Sequence, residues 1–422
     1  MKTTPFWTDD TPRPEDLPRA ALPPETDVLI IGAGYTGLAA ARVLARAGYR
    51  TAVLEQYTVG WGASGRNGGI VTTGLRRPLP DVVKEHGVDV GRALWQATLD
   101  AVDLVGEIIA DEGIACDFRR KGHVVLAARR RHFARLAQTA AWFEAQLKYP
   151  LRLLSPQELA DEVGTEAYHG GLLDDWGGSL HPAKYAYGLA AAAIRHGALV
   201  CEQTAVTRIE YQAHGFNVYT SQGTIRAREV IMATNGYTNG LVHKLHTAVF
   251  PAGSYAIVTE PLAPDVYRAL IPGGRVFSNT RRSGQFFRLT PDGRLLFGAW
   301  SQWVLDADLV DSAKSLRRSL VRVFPQLADA RVTHAWGGRL GMTFDELPHV
   351  GRAAGVHYAL GYSGRGVALA TYLGTELGLL LSGQKTDSPF VTLPHPKRFY
   401  YRKNPWFLPL VLRYAQLLDW VP

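Results

Sequence analysis

The chain has 422 residues, 46% hydrophobic and 20% charged, enough apolar material for two packed cores, which excludes a disordered or fibrous protein. Lys plus Arg exceed Asp plus Glu by 46 to 38, but the resulting +8 is scattered over short clusters, so no nucleic-acid partner is expected. Two cysteines, Cys116 and Cys201, cannot build a disulfide framework or a cysteine-rich zinc site, and no metal is expected.

Residues 1–26 are rich in Pro and acid and lack the apolar stretch of a secretory signal, so they read as an N-terminal extension of a cytoplasmic protein. No run reaches the roughly 18 apolar residues of a membrane-spanning helix. Residues 27–31 form an apolar, β-branched run suited to a strand buried on both faces. The run enters Gly32-Ala-Gly34-Tyr35-Thr36-Gly37, followed by a helix of small residues ending at Gly48 and a second strand over 51–54 that delivers Glu55 and Gln56. In this βαβ setting Gly32 permits the tight turn, Gly34 admits a pyrophosphate to the backbone, and Gly37 lets the helix lie close on the strand. The helix amino end supplies N–H donors to the phosphates, and Glu55 is placed for ribose hydroxyls. FAD and NAD share this fingerprint. Residues 60–69 then place five glycines in ten positions, with Ser64, Arg66 and Asn67 as donors. Such a loop can wrap the rest of a longer cofactor, through Gly62, Ala63, Gly68 and Gly69.

Farther along, Leu94, Ala97, Ala101, Leu104, Val105 and Ile108 recur at helical spacing between Gly91 and Gly113. Stretches at 204–210, 216–220, 224–226 and 230–234 predict a strand meander, and 286–290 with 294–300 predict a hairpin around Pro291-Asp-Gly293. A short strand at 356–360 runs into Gly361-Tyr362-Ser-Gly364-Arg365-Gly366, and a helix starts at Val367. This second glycine-helix junction aims another positive pole at the cofactor, where it and Arg365 would stabilise charge on a reduced flavin. The tail, 391–422, couples Lys397, Arg398, Arg402 and Lys403 to an amphipathic stretch containing Trp406, Leu417, Leu418 and Trp420. Docking on the protein's own surface or at a subunit interface is favoured, with peripheral contact at the inner face of a membrane as the alternative.

These residues together resemble the D-amino-acid oxidase superfamily of FAD enzymes, which includes glycine and sarcosine oxidases, and most closely its γ-glutamylputrescine oxidase-like branch. Besides the two glycine junctions, the matching pieces include Leu180-His-Pro182, Ala233-Thr234-Asn235-Gly236-Tyr237, Trp336-Gly-Gly338 and Thr343-Phe-Asp-Glu-Leu-Pro348. The resemblance implies an α/β fold: a discontinuous Rossmann-like FAD-binding domain (27–100, 160–240 and 330–390) and a substrate domain (101–159 and 241–329) with a large antiparallel sheet flanked by helices. It also implies that Val206 meets the adenine, that residues 233–236 close the cofactor site, and that Gly338 borders it.

The sequence departs from that family in three places. The first loop has no His, and Gly341 stands where sarcosine oxidases carry a Cys, so FAD is expected to be held non-covalently. Leu296 replaces a Lys associated with oxygen activation, which opens the choice of acceptor between oxygen and a quinone. Gly68 replaces a carboxylate-binding Arg, and Arg281, Arg282 or Arg288 is the expected substitute. The expected reaction is oxidation of the C–N bond of an amine or amino acid by hydride transfer to flavin N5, giving an imine that hydrolyses. Oxidation of a 2-hydroxy acid or other alcohol with electrons passed to a quinone, and a non-catalytic binding role, are the alternatives. Aromatic walls suit an amine, and the candidates are Trp61, Tyr255, Phe287, Trp300, Trp336 and Tyr362. His181 and His349 are bases by residue type, each more readily read as structural.

Overall fold

Because it is apolar on both faces, the Glu25–Ile31 strand sits inside a sheet whose main path runs His349–Ala353, Val356–Leu360, Gly223–Met232, Glu25–Ile31, Thr51–Leu54, Leu199–Cys201. The last five strands are parallel, and His349–Ala353 is an antiparallel edge. This is a computed structural model, which describes residues 1–414 apart from Ser283, Lys403 and Leu412; of residues 300–303 it describes the backbone. The meander is Val206–Gln212, Gly215–Thr220 and a single ten-residue strand, Gly223–Met232, where two short ones were expected. Its first half pairs with the ribbon and alternates in burial, while its second half is buried in the parallel sheet.

The helices Tyr35–Arg46 and Gly366–Leu381 pack directly on each other. Glycine sets their approach: a Cβ on Gly374 would stand 2.2 Å from the Thr36 carbonyl oxygen, and one on Gly378 would stand 2.7 Å from Val43 Cβ. Helix Pro182–Arg195 lies against Tyr35–Arg46, and the long helix Val88–Glu112 against Gly366–Leu381. Between them the Arg42 guanidinium is buried on Glu112, which also takes Arg195 and His196.

A second sheet runs Val332–Met342, Phe250–Thr259, Leu295–Trp303, Gln285–Leu289, Val276–Asn279, His123–Leu126, Gly171–Asp174, Arg152–Leu154. It is antiparallel except for the parallel pair Val276–Asn279 and His123–Leu126. Its core is aromatic, with Phe287 stacked between Phe277 and Phe297. Sheet membership moves the expected domain boundaries. Gly171–Asp174 and Val332–Met342 pair in this second sheet although 160–240 and 330–390 were assigned to the nucleotide domain. Conversely, residues 101–112 lie on a helix of the first core. Periodicity identifies a strand or a helix but not the layer it joins.

The first residues are not a loose extension. Helix Phe6–Asp10 buries Phe6 and Trp7 in the first core. At the other end, Tyr401 and Leu408 pack with Phe250, Ala252 and Met342, while Phe399, Trp406 and Leu410 are exposed. The expected tail residues Leu417, Leu418 and Trp420 lie outside the described residues. Among the described residues no helix is long and apolar enough to cross a membrane.

Candidate functional site

At the carboxyl ends of the parallel strands the first turn opens a cleft whose free space, with the open solvent at its mouth, is about 1280 Å³. The turn works as its residues require. Gly32 holds φ +109°, and a Cβ there would stand 2.9 Å from the Ala233 carbonyl oxygen. A Cβ on Gly37 would stand 2.0 Å from the Gly32 carbonyl oxygen, so helix and turn touch only because that atom is missing. Glu55 accepts the Ala33 N–H at 2.9 Å through Oε2 and the Tyr57 N–H at 3.0 Å through Oε1, which fixes the carboxylate at the cleft wall. Burial raises its pKa, against the lowering effect of those two N–H donors.

The loop over 60–69 is tied down from several directions. Asn67 Nδ2 donates to the carbonyls of Ala63 and Ser64, and its Oδ1 accepts the Gly69 N–H at 2.7 Å. The Tyr35 hydroxyl donates to Ser64 O at 2.7 Å, and Ser64 Oγ accepts the Tyr35 N–H. Trp7 Nε1 donates to Asn67 O and Trp336 Nε1 to Arg66 O, so two tryptophans far apart in the sequence brace this loop. The second junction is held by Asn235, whose Oδ1 accepts the Gly361 N–H at 3.0 Å. The Tyr362 hydroxyl is hydrogen-bonded to Thr36 Oγ1 at 2.6 Å, joining the two glycine-helix junctions across the cleft.

A second cavity, about 830 Å³ with the open solvent at its mouth, opens off the first, between the 60–69 loop and the second sheet. The two share Ala63, Asn67, Arg339, Leu340, Gly364 and Val367. Its remaining wall includes Thr72, His123, Tyr255, Ser278, Phe286 and Arg365. His123 Nε2 is paired with Ser278 Oγ at 2.8 Å; burial, and then the charge of Arg365, push its pKa down to about 3, so it is a neutral imidazole. Tyr255 OH donates to Val304 O and accepts the Ala307 N–H. Among the described residues no cluster of three or more His, Cys, Asp or Glu is arranged for a metal.

The model of the FAD-dependent oxidoreductase family matches residues 27–378. The chain is 34% identical over 374 residues to γ-glutamylputrescine oxidoreductase of Escherichia coli, covering 87% of each, and 34% identical to the probable oxidoreductase OrdL of Haemophilus influenzae, covering 82% of this chain and 81% of that one. Glycine oxidase from Geobacillus kaustophilus has the same fold at 23% identity, with a TM-score of 0.72 over 89% of this chain and 100% of that one. The chain belongs to the FAD-dependent oxidoreductase family.

Its cofactor is FAD, and the first cleft fits it: glycines stand where a pyrophosphate must approach backbone, and a carboxylate where ribose hydroxyls need an acceptor. Of the expected flavoenzyme residues, Gly32, Gly34, Tyr35, Thr36, Glu55, Gln56, Gly62, Ala63, Ser64, Asn67, Val206, Ala233, Thr234, Asn235, Tyr362, Gly364, Gly366 and Val367 line the first cleft. Arg66, Gly68, Gly338 and Arg365 line the second cavity instead. Gly37, Gly69, Gly236 and Gly361 line neither and act through backbone fit; a Cβ on Gly236 would stand 2.8 Å from Leu340 O.

Several expected wall residues are elsewhere. Phe287 is wholly enclosed in the aromatic stack of the second core; strand alternation turns its neighbour Phe286 to the cavity. Arg288 is no substrate group: its Nε donates to Gly68 O at 2.7 Å and its Nη2 to Leu180 O at 2.8 Å, over the face of Trp7. Arg281 and Arg282 are exposed and line neither cavity. Trp61 and Tyr362 lie on the nucleotide cleft, Trp61 tilted against Tyr57 with ring centroids 4.0 Å apart, while Tyr255 reaches the second cavity. Trp336 is buried as a brace. Trp300 lies on Leu295–Trp303, and its side chain is outside the described residues. His181 accepts the Lys184 N–H at the start of helix Pro182–Arg195, and His349 is paired with Asp345 and stacked on His395, so both are structural. Sequence reasoning missed Thr72, His123, Ser278 and Phe286, which come from separate elements and carry no local motif.

Proposed function

We propose that this enzyme oxidises the C–N bond of an amine or amino acid, removing a hydride from the carbon next to nitrogen and releasing an imine that water hydrolyses. FAD bound in the first cleft supplies the two-electron acceptor. Hydride departure needs the nitrogen lone pair, so the protein must favour the neutral amine. The second cavity is lined by Arg66, Arg339 and Arg365 and, among the described residues, by no Asp or Glu. Positive surroundings lower the pKa of a bound amine and release that lone pair. This arginine-bearing, acid-free wall is the observation that supports the reading. Neutral His123 and Ser278 give the nitrogen polar partners without a counter-charge, and Tyr255 and Phe286 contribute apolar surface.

FAD is held non-covalently. Cys116 and Cys201 are buried away from both cavities, and a Cβ at Gly341 would stand 2.1 Å from Asn235 Oδ1, leaving no space for an attaching side chain. Leu296 is enclosed in the first core, so no cation stands there for oxygen, which favours a quinone as acceptor. The test is anaerobic bleaching of the flavin by paired amines, amino acids and 2-hydroxy acids, followed by oxygen or a quinone. Bleaching by nitrogen compounds is expected; bleaching by hydroxy acids alone would replace the reading, and acid precipitation should release the flavin.

A further inference from the structure

Exposed large apolar side chains are scattered over most of this chain, as is ordinary for a protein surface, but the stretch 399–414 gathers Phe399, Tyr400, Trp406, Leu410, Val411 and Tyr414. Phe399 is 94% exposed. The stretch is anchored by its inner side. Tyr401 and Leu408 are buried with Phe250, Ala252 and Met342, and the Tyr401 hydroxyl donates to Val249 O at 3.2 Å. Trp406 Nε1 donates to Tyr400 O, and the two rings meet edge-on. The backbone is helical at 408–411, 413 and 414, and at 3.6 residues per turn Leu408 faces inward while Leu410, Val411 and Tyr414 share the outward side. The charges around this apolar face have one sign: residues 391–422 carry Lys397, Arg398, Arg402, Lys403 and Arg413 against Asp419 alone. Lys397, Arg398, Arg402 and Arg413 are exposed, and among the described residues none is paired with a carboxylate, whereas Arg13, Arg50, Arg275 and Arg352 elsewhere all are.

We propose that the outward side chains of this tail, from Lys397 to Tyr414, seat the protein on a membrane surface rich in anionic lipid. Rings and cations interleaved on one face match the headgroup level of a bilayer, where phosphates meet the cations and the rings enter the acyl boundary. A symmetric contact with a second copy would instead set these cations against their own counterparts. The anchored side fixes where the membrane lies. Leu340 packs against the cluster that holds the tail and also lines both cavities, so the bilayer sits on the side of the cleft wall. The contact rests on the tail alone; its consequence, that a lipid-dissolved quinone approaches the cleft from that side, rests on the acceptor reading.

The test is co-sedimentation of the FAD-loaded full chain with vesicles of phosphatidylglycerol and phosphatidylcholine, and with vesicles of phosphatidylcholine alone. Binding should be about tenfold or more tighter to the anionic vesicles and should weaken as salt rises. Arg398→Gln with Arg402→Gln should weaken it about 25-fold, about fivefold for each charge. Phe399→Ser with Leu410→Ser should weaken it about tenfold or more at unchanged charge. All four side chains are exposed and line neither cavity, so flavin content, melting temperature and anaerobic bleaching should match wild type in both variants. Absence of sedimentation with anionic vesicles, equal binding to both vesicle types, or indifference to either double variant would overturn the proposal. So would a dimer in light scattering that Phe399→Ser with Leu410→Ser converts to a monomer, because a second copy then covers the face. Vesicle binding without reoxidation of the flavin by a quinone dissolved in those vesicles refutes the acceptor reading and leaves the contact standing. Reoxidation by a water-soluble quinone without vesicle binding does the reverse.

Discussion

Replacing Gly37 by Ala would insert a methyl carbon 2.0 Å from the Gly32 carbonyl oxygen and 3.1 Å from Ile30 Cγ2. A carbon–oxygen contact needs about 3.3 Å, so the helix Tyr35–Arg46 would have to withdraw from the turn by about 1 Å or more. It cannot do so freely, because its other faces are packed on Gly366–Leu381 and Pro182–Arg195. Overpacking of this kind costs about 1–3 kcal/mol. Since the same turn cradles the pyrophosphate, that strain should appear as an FAD dissociation constant raised between about 5- and about 150-fold. The assay is a fluorescence titration of apoprotein with FAD, together with thermal unfolding of the apoprotein. Gly48→Ala is the control: its φ is +85°, but nothing lies within 4 Å of the new carbon, so it should lose stability without losing FAD affinity. Wild-type affinity and melting temperature in Gly37→Ala would refute the packing argument.

Tyr362→Phe leaves the buried Thr36 hydroxyl without its 2.6 Å partner and should lower stability by about 1–3 kcal/mol, read by denaturant unfolding. The double variant with Thr36→Val should recover part of the loss, since no unpaired polar group remains. Acid should destabilise the fold from near neutrality. His123 is neutral in the folded protein down to about pH 3 but titrates near 6.5 when unfolded, so its contribution is complete above 6.5 and is lost as pH falls toward 3, by about 1.4 kcal/mol per pH unit. His123→Gln should flatten that decline in melting temperature between pH 6.5 and 4.5. Glu112, where burial is outweighed by Arg42, His196 and Arg195 and the pKa falls to about 2, adds a further loss from about 4.5 downward.

How much could be read in advance differs between the two cavities. The nucleotide cleft is written in local signals: the turn glycines, the helix after them and Glu55 lie within 24 residues of one another, and their spacing carries their roles. The wall of the second cavity brings Thr72, His123, Ser278, Phe286 and Arg365 from five separate stretches of chain; Arg365 alone sits in a local motif, and nothing at the other four announces the meeting. The choice between Phe286 and Phe287 shows the limit. The hairpin was legible from its turn and alternation, but which face looks at the cavity depends on the strands beside it.

The order of residues alone determined the βαβ turn, the second glycine-helix junction and the family they belong to, because each needs backbone conformations and close approaches that only particular residues at short range permit. Tertiary structure decided that Phe6–Asp10 joins the core, that Arg288 is a strut under the loop, and that Arg365 faces substrate space. Burial, and whether a charge finds its partner, are set by what distant segments bring alongside, and one-dimensional spacing does not contain that information.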